Sequence, residues 1–338
     1  MNGAALYLLA LANLLAPTGS EVKVADGAAW ELSMLGVPPG ERLEAVRRLP
    51  RRPVILAVVG QGGVSRSLLE PLLHSGTTLD YRCGATDPST ETHDTAAARV
   101  ILDLTHALGL RVRVAVFQPG EPWDDVAAAM ARAGDSAHVV AFFQSFWGPE
   151  MRKIHAAIAQ ARRALFISPY AEYGGFPTKD CVQGYSAKPW VKQSPWPLPD
   201  IPHLLTAAPL PRSTPGEIVQ PASGPDDAEV INFLVPSYYA NGPGGTCPAA
   251  EVLDAVALYI IASAPRRPVP VEVADLLRRT ARLDRTALTS VPEYDEAAVE
   301  RVEQHVQALA HPPEGKPRKL DAPGVVNLWE IYKRLSRL

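Results

Sequence analysis

Between Asn241 and Ser263 the sequence reads NGPGGTCPAAEVLDAVALYIIAS, a glycine-rich turn that delivers a nucleophile-type residue, Cys247, to the start of a helix. Pro248 falls in the first helical turn, where a missing N–H costs nothing. A helix start favours the thiolate form of a cysteine, the form that attacks carbonyl carbon. The same residue among apolar neighbours is also the small buried hydrophobe that most unpaired cysteines are. His93 opens an alanine-rich helical stretch, His93-Asp94-Thr95-Ala96-Ala97-Ala98. The other histidines, His74, His106, His138, His155, His203, His305 and His311, show no partner spacing, and within the predicted helices neither His106 nor His155 has a second ligand at i+4. Gln61 lies in the Gly60-Gln61-Gly62-Gly63 turn that follows the apolar run Pro53 to Val59. Asp124, Asp125, Asp226 and Asp227 read as solvated charges of loops and helix starts. There is no P-loop, no metalloprotease helix and no calcium-loop spacing, and the GQGG turn lacks the third glycine and downstream acid of a dinucleotide site, so neither metal nor cofactor is expected.

These residues must be positioned by alternating elements. Pro53 to Val59 is a continuous apolar run ending in glycines, as buried parallel strands do. It is followed by a helix over Asp94 to Leu110 that stops near Gly109, a strand over Arg111 to Phe117, and a helix over Asp124 to Gly134 with acids at its dipole-positive start. A strand over His138 to Phe143, a helix over Pro149 to Arg163 and a strand over Ala164 to Ser168 continue the series. Residues 174–228 are rich in proline and glycine, with one strand candidate over His203 to Ala208. A strand over Val230 to Val235 then leads into the glycine-rich turn and an apolar helix over Pro248 to Ala264. The tail from Pro292 to Pro317 is charged and helical in part. Such β-α-β alternation predicts an α/β fold with a parallel sheet covered on both faces, and places a ligand site beyond the carboxyl ends of the strands.

The 338 residues suffice for one large α/β domain with a short extension, and the boundary falls at residue 50: 1–50 as an N-terminal extension, 51–338 as the domain. A net charge of −3 gives no reason to expect nucleic acid as a partner. Proline, at 33 residues, is about twice its usual share, which points to long ordered loops. The cysteines Cys83, Cys181 and Cys247 make no disulfide framework and no zinc spacing. The apolar run Ala4 to Ala16 has the length of a signal-peptide core, which would place the protein outside the cytoplasm. No Lys or Arg precedes it, the first being Lys23, so a helix packed on the domain or a pro-segment remnant is the alternative, with a cytoplasmic protein. It is too short for a membrane span.

In the order of its motifs the chain resembles the subtilases, the subtilisin-like peptidases. Gly245, Thr246, Cys247 and Ala249 match the frame of that family's Gly-Thr-Ser-x-Ala-x-Pro motif, with cysteine in the serine position and Glu251 where proline is usual. His93-Asp94-Thr95 is similar to its His-Gly-Thr motif, Ser145-Phe146-Trp147-Gly148 to its substrate-strand Ser-hydrophobic-Gly-Gly, and Val235-Pro236-Ser237 to its Ala-Pro-Gly. Gly324-Val325-Val326-Asn327-Leu328 is similar to its closing Gly-x-Val-Asn-Ala, so the resemblance covers residues 51–335. It implies a three-layer subtilisin-like fold, with Cys247, His93 and Gln61 at the triad positions and Ser145 to Gly148 along the substrate cleft. The oxyanion asparagine falls on Ala171 or Glu172. The family's aspartate, in an Asp-x-Gly frame at the end of the first strand, falls on Gly60 or Gln61. Asp87, in the loop before His93, is the alternative acid considered for that role.

Two readings follow. Three of four chemical positions are changed, which favours a pseudoprotease that binds a peptide or protein partner in the former cleft by strand addition beside Gln144 to Trp147. The alternative is an active Cys–His hydrolase, since a thiol needs less help than a hydroxyl.

Overall fold

In a computed structural model, residues 26–73, 77–82, 85–119, 123–142, 151–169, 201–210, 213–214, 217–218, 232–236, 246–291, 294–310 and 324–338 are described. Two helices, α1 (Asp26–Met34) and α2 (Glu41–Arg47), lead into β1 (Val54–Val59). Then come α3 (Arg66–Leu69), β2 (Thr78–Arg82), α4 (His93–Ala107), β3 (Val112–Phe117), α5 (Trp123–Ser136), β4 (Val139–Phe142), α6 (Met151–Gln160), β5 (Leu165–Pro169) and β6 (Leu204–Pro209). A two-residue hairpin, β7 (Ser213–Thr214) and β8 (Glu217–Ile218), precedes β9 (Phe233–Val235) and α7 (Thr246–Ser263). The chain closes with α8 (Pro270–Thr280), α9 (Arg285–Thr289), α10 (Glu296–Ala310), β10 (Gly324–Val325) and α11 (Leu328–Leu335).

Eight strands form one sheet in the order β10-β9-β6-β5-β4-β1-β3-β2, and every pairing is parallel. β1 and β3 run in register from Val54 opposite Val112 to Val59 opposite Phe117. The central strands are almost wholly buried, which explains their unbroken apolar sequence: helices cover both faces. On one face Val54, Leu56 and Val58 meet α4 and α7. On the other, Ala57, Val59, Phe142 and Phe166 meet α5 and α6. This is the α/β architecture with a parallel sheet and two helical layers that the alternation predicts. Strand β2 escapes the sequence pattern because it is the sheet edge: Thr78 is exposed, and Asp80 accepts charged hydrogen bonds from Arg82 and Arg113.

The most deeply set helix is α7, which carries Cys247. From Pro248 to Ser263 it is buried on every side, so its apolar residues show no amphipathic stripe. Residues ahead of β1 join the same core. Leu32, Leu35, Leu43 and Val46 are buried with α4 and α7, the Tyr259 hydroxyl donates to the Val46 carbonyl at 3.3 Å, and Arg47 Nε donates to the Ala107 carbonyl at 2.7 Å. No helix among the described residues is long and apolar enough to cross a membrane.

Helices α5 and α6 approach closely at Gly134. A Cβ there would lie 2.3 Å from Ala161 Cβ and 2.7 Å from Phe166 Cζ, and the Phe166 ring is held by edge contacts to Phe142 and His203. Gly134→Ala should therefore destabilise the protein by about 1–3 kcal/mol through overpacking, although alanine gains about 1 kcal/mol in intrinsic helix propensity. Urea unfolding measures the sign.

Candidate active site

The carboxyl end of β1 and the first turns of α4 and α7 meet at one edge of the sheet. Gly60 N–H donates to the Phe117 carbonyl at 3.1 Å, extending the β1–β3 ladder by one residue. The chain then turns through Gly63, whose φ of +70° is a glycine conformation. This turn is tied down from both sides. Thr92 Oγ1 donates to the Gly63 carbonyl at 2.6 Å, Ser65 N–H donates to Thr95 Oγ1 at 2.9 Å, and Gln118 Nε2 donates to the Gln61 carbonyl at 2.8 Å. Thr92 also caps α4, accepting from Thr95 N–H at 3.0 Å. The first two residues of α4, His93 and Asp94, are thereby fixed against the end of β1.

Asp94 points inward and His93 outward. The Asp94 side chain is 6% exposed, the His93 side chain 57%. Asp94 Oδ2 accepts from Gly62 N–H at 2.8 Å, while Oδ1 lies 4.0 Å from His93 Nδ1, an ion-pair separation rather than a short hydrogen bond. The carboxylate sits directly over Gly60: a Cβ on that residue would fall 2.1–2.3 Å from its oxygens and carbon. From α7, Cys247 stands close enough to the His93 ring to act on its titration. Asp94 first, then Cys247 and Glu251, favour the imidazolium against the opposing effect of burial, and push the His93 pKa up to about 10.

Two further acids lie behind the thiol on α7. Cys247, Glu251 and Asp254 follow at i, i+4 and i+7, along one side of the helix. Glu251 is 4% exposed, and burial lifts its pKa to about 8 against the pull of His93. Asp254 is fully buried, neither of its carboxyl oxygens has a hydrogen-bond partner among the described residues, and burial followed by the nearby Glu251 raises its pKa well above the usual range. At neutral pH Glu251, raised to about 8, is largely protonated, and burial pushes Asp254 in the same direction.

His93 and Cys247, the pair singled out by sequence, thus stand together. Gln61 is exposed, with its backbone carbonyl held by Gln118, and the acid beside the ring is Asp94. Asp87 accepts from Arg66 N–H at 2.8 Å and serves that turn instead. His138 Nδ1 accepts from Ile55 N–H at 2.8 Å and the buried His203 donates from Nε2 to the Ile158 carbonyl at 2.8 Å, so each serves the backbone. Cys83, Cys181, the cleft residues Ser145, Phe146, Trp147 and Gly148, the oxyanion positions Ala171 and Glu172, and the run at 4–16 lie outside the described residues. Reading the sequence did not find Asp94, although a signal was present. Relative to the Asp-x-Gly and His-Gly-Thr frames, an aspartate and a glycine have traded places between positions 60 and 94.

No protein-family model and no curated protein matches the chain. Solved structures do. A chain from a structure concerning subtilase cytotoxin SubAB assembly superposes with a TM-score of 0.55 at 13% identity, over 91% of this chain and 96% of that one. The epidermin leader peptide processing serine protease EpiP from Staphylococcus aureus gives 0.49 at 11% identity over 93% and 83%, and the PatG macrocyclase domain 0.46 at 14% identity over 88% and 96%. The chain has a subtilisin-like α/β fold, built on a single all-parallel eight-stranded sheet.

The acids make stability depend on pH with a definite sign. Folded-state pKa values of His93, Glu251 and Asp254 are all raised, so the folded chain holds protons that the unfolded chain releases. Stability from each is full below its unfolded pKa and is lost as pH rises towards the folded value. Above pH ~6.5, the ordinary histidine value, the lowered groups His138, His203 and His305 are neutral in both states and drop out. The melting temperature should therefore fall from pH ~6.5 to pH ~9. Glu251→Gln should flatten the part of that decline below about 8, the value to which Glu251 is raised. A melting temperature that rises over this range would contradict these assignments.

Proposed function

We propose that this protein is a hydrolase of subtilisin-like fold that cleaves an acyl bond, in the first instance a peptide bond, with Cys247 as nucleophile and His93 as its acid and base. The observation that carries the reading is that Cys247 and the buried carboxylate of Asp94, 4.0 Å from Nδ1, both act on the His93 ring beyond the carboxyl end of β1, where open α/β sheets place their ligands. An imidazole raised to about 10 is cationic at neutral pH. The ring therefore starts the cycle as proton donor, and the nucleophile is the thiolate paired with it. The sulfur adds to the carbonyl carbon, the amine leaves with the proton of His93, and a thioester remains. Water then attacks the thioester, giving one proton to His93 while the acid product departs and the sulfur regains its electron pair. The Cys247 backbone N–H, in the first turn of α7 where no intrahelical acceptor exists, supplies an oxyanion donor. In this reading Ser145 to Gly148 form the cleft edge to which an extended peptide adds as a strand, and residue 171 or 172 lies at the second oxyanion position.

The strand-end position occupied by Gly60 favours a second reading: a pseudoprotease that retains the cleft to bind a peptide or protein. The two separate on one measurement. With an acyl electrophile or iodoacetamide, the hydrolase reading expects labelling at Cys247 that falls on the order of 100-fold in His93→Ala, the scale of acid–base assistance, together with thiol-dependent turnover of peptide libraries. Slow labelling unaffected by His93→Ala, with peptide binding but no turnover, would leave the scaffold reading in its place.

A further inference from the structure

We propose that Asp94 is the positioning acid of the Cys247–His93 pair, a carboxylate that reaches its place from the residue after the histidine rather than from the end of the first strand. The inference rests on the hydrolase reading and goes beyond it by assigning a third member to the site.

Four observations carry it. The carboxylate is buried beside an exposed imidazole, at 6% against 57% exposure of the two side chains. One oxygen is pinned by Gly62 N–H at 2.8 Å, and the other is turned to His93 Nδ1 at 4.0 Å. The space it fills lies over Gly60, where any side chain on the strand end would collide with it. The cap at Thr92 and the Thr92–Gly63 bond fix the helix turn that carries it. A residue adjacent in sequence to its histidine normally points elsewhere, because neighbouring positions on a helix diverge by about a quarter-turn and more. Here the divergence is an advantage: His93 faces the cleft and Asp94 backs it from the strand side. The groups facing the imidazole are then Asp94 from α4 and Cys247 and Glu251 from α7.

A carboxylate in this position does two things for the pair. It restricts rotation of the ring, so that the thiol meets a fixed nitrogen, and it stabilises the cationic ring from which the leaving group takes its proton. Positions 60 and 94 act as one unit, in which glycine on the strand requires the acid on the helix and the acid requires the glycine.

The test uses the full chain and two readouts: the titration midpoint of His93 by NMR, and the pH profile of Cys247 alkylation by iodoacetamide. Asp94→Asn keeps an acceptor for Gly62 N–H and removes the charge. It should lower the His93 midpoint by a unit or more and the alkylation rate at pH 6 by at least tenfold, while the fold is kept and the decline of the melting temperature above pH ~6.5 becomes shallower. Gly60→Ala, which leaves Asp94 in the chain but pushes its carboxylate aside, should do the same in smaller measure. The exchange Gly60→Asp with Asp94→Gly, which returns the acid to the strand, should restore both readouts to within a fewfold of the starting protein. The inference is overturned if Asp94→Asn folds and leaves both readouts unchanged, or if the exchange fails to restore a loss seen in either single variant. Failure of the hydrolase reading looks different: Cys247 alkylation in the unaltered protein is then indifferent to His93→Ala, and the role assigned to Asp94 falls with it.

Discussion

Space for a single carboxylate exists between the end of β1 and the first turn of α4, and the geometry of the site depends on how that space is filled. The helix start is drawn against the strand by Thr92, which bonds at once to its own helix and to the Gly63 carbonyl. At that separation the strand residue must be glycine, since a Cβ would stand 2.1 Å from Asp94 Oδ2. A buried ionised carboxylate is costly unless it is paired and hydrogen-bonded. Gly62 N–H and the His93 cation supply those partners. The same contacts that satisfy the acid place it beside the His93 ring, so the local fold of this turn and the position of the ion pair are set together.

The opposite wall obeys a different constraint. Helix α7 is buried along nearly its whole length, and in such surroundings an acid survives by keeping its proton. Burial pushes Glu251 and Asp254 towards the protonated form, in which the helix can hold two carboxyls among alanines and leucines. The site therefore contains one carboxylate that partners a cation and two acids that lean towards the neutral form at neutral pH. Were Glu251 to ionise fully, the imidazolium would be shared between two anions, and Asp94 would lose its exclusive hold. Burial of Glu251 thus contributes to the selectivity of the Asp94–His93 interaction as much as the short path between those two residues does.

Much of the scaffold was legible because its constraints are local. Short continuous apolar runs bounded by turn residues, such as Val54–Val59, read as strands with both faces covered, and the alternation with helices points to parallel pairing. Strand β2 was not legible: its polar residues follow from an edge position that only the tertiary structure assigns. Convergence of His93 and Cys247 was legible as order along the chain, read against a family frame. Asp94 was hidden by its own setting. An aspartate in the first turn of a helix has a sufficient local explanation in the helix dipole, and nothing local reveals that it also fills the space over a glycine in a distant turn. Gln61 was chosen by position along the strand, but its side chain is exposed while the turn presents Gly62 N–H inward to Asp94.

That hidden relation bears on the choice between chemistry and mere binding. A scaffold that only holds a peptide in its cleft would be served by any small residues at positions 60 and 94, and most simply by glycine at both. Instead the chain carries a carboxylate that is desolvated and accommodated by a glycine beneath it, and that faces a histidine whose ring also meets a thiol at the start of a buried helix. Each step away from the minimal solution has an energetic cost in folding and a use in nucleophilic catalysis: a fixed ring, a stabilised cation, and a sulfur beside both. Their coincidence at the carboxyl edge of a subtilisin-like sheet is what favours the hydrolase over the inert scaffold.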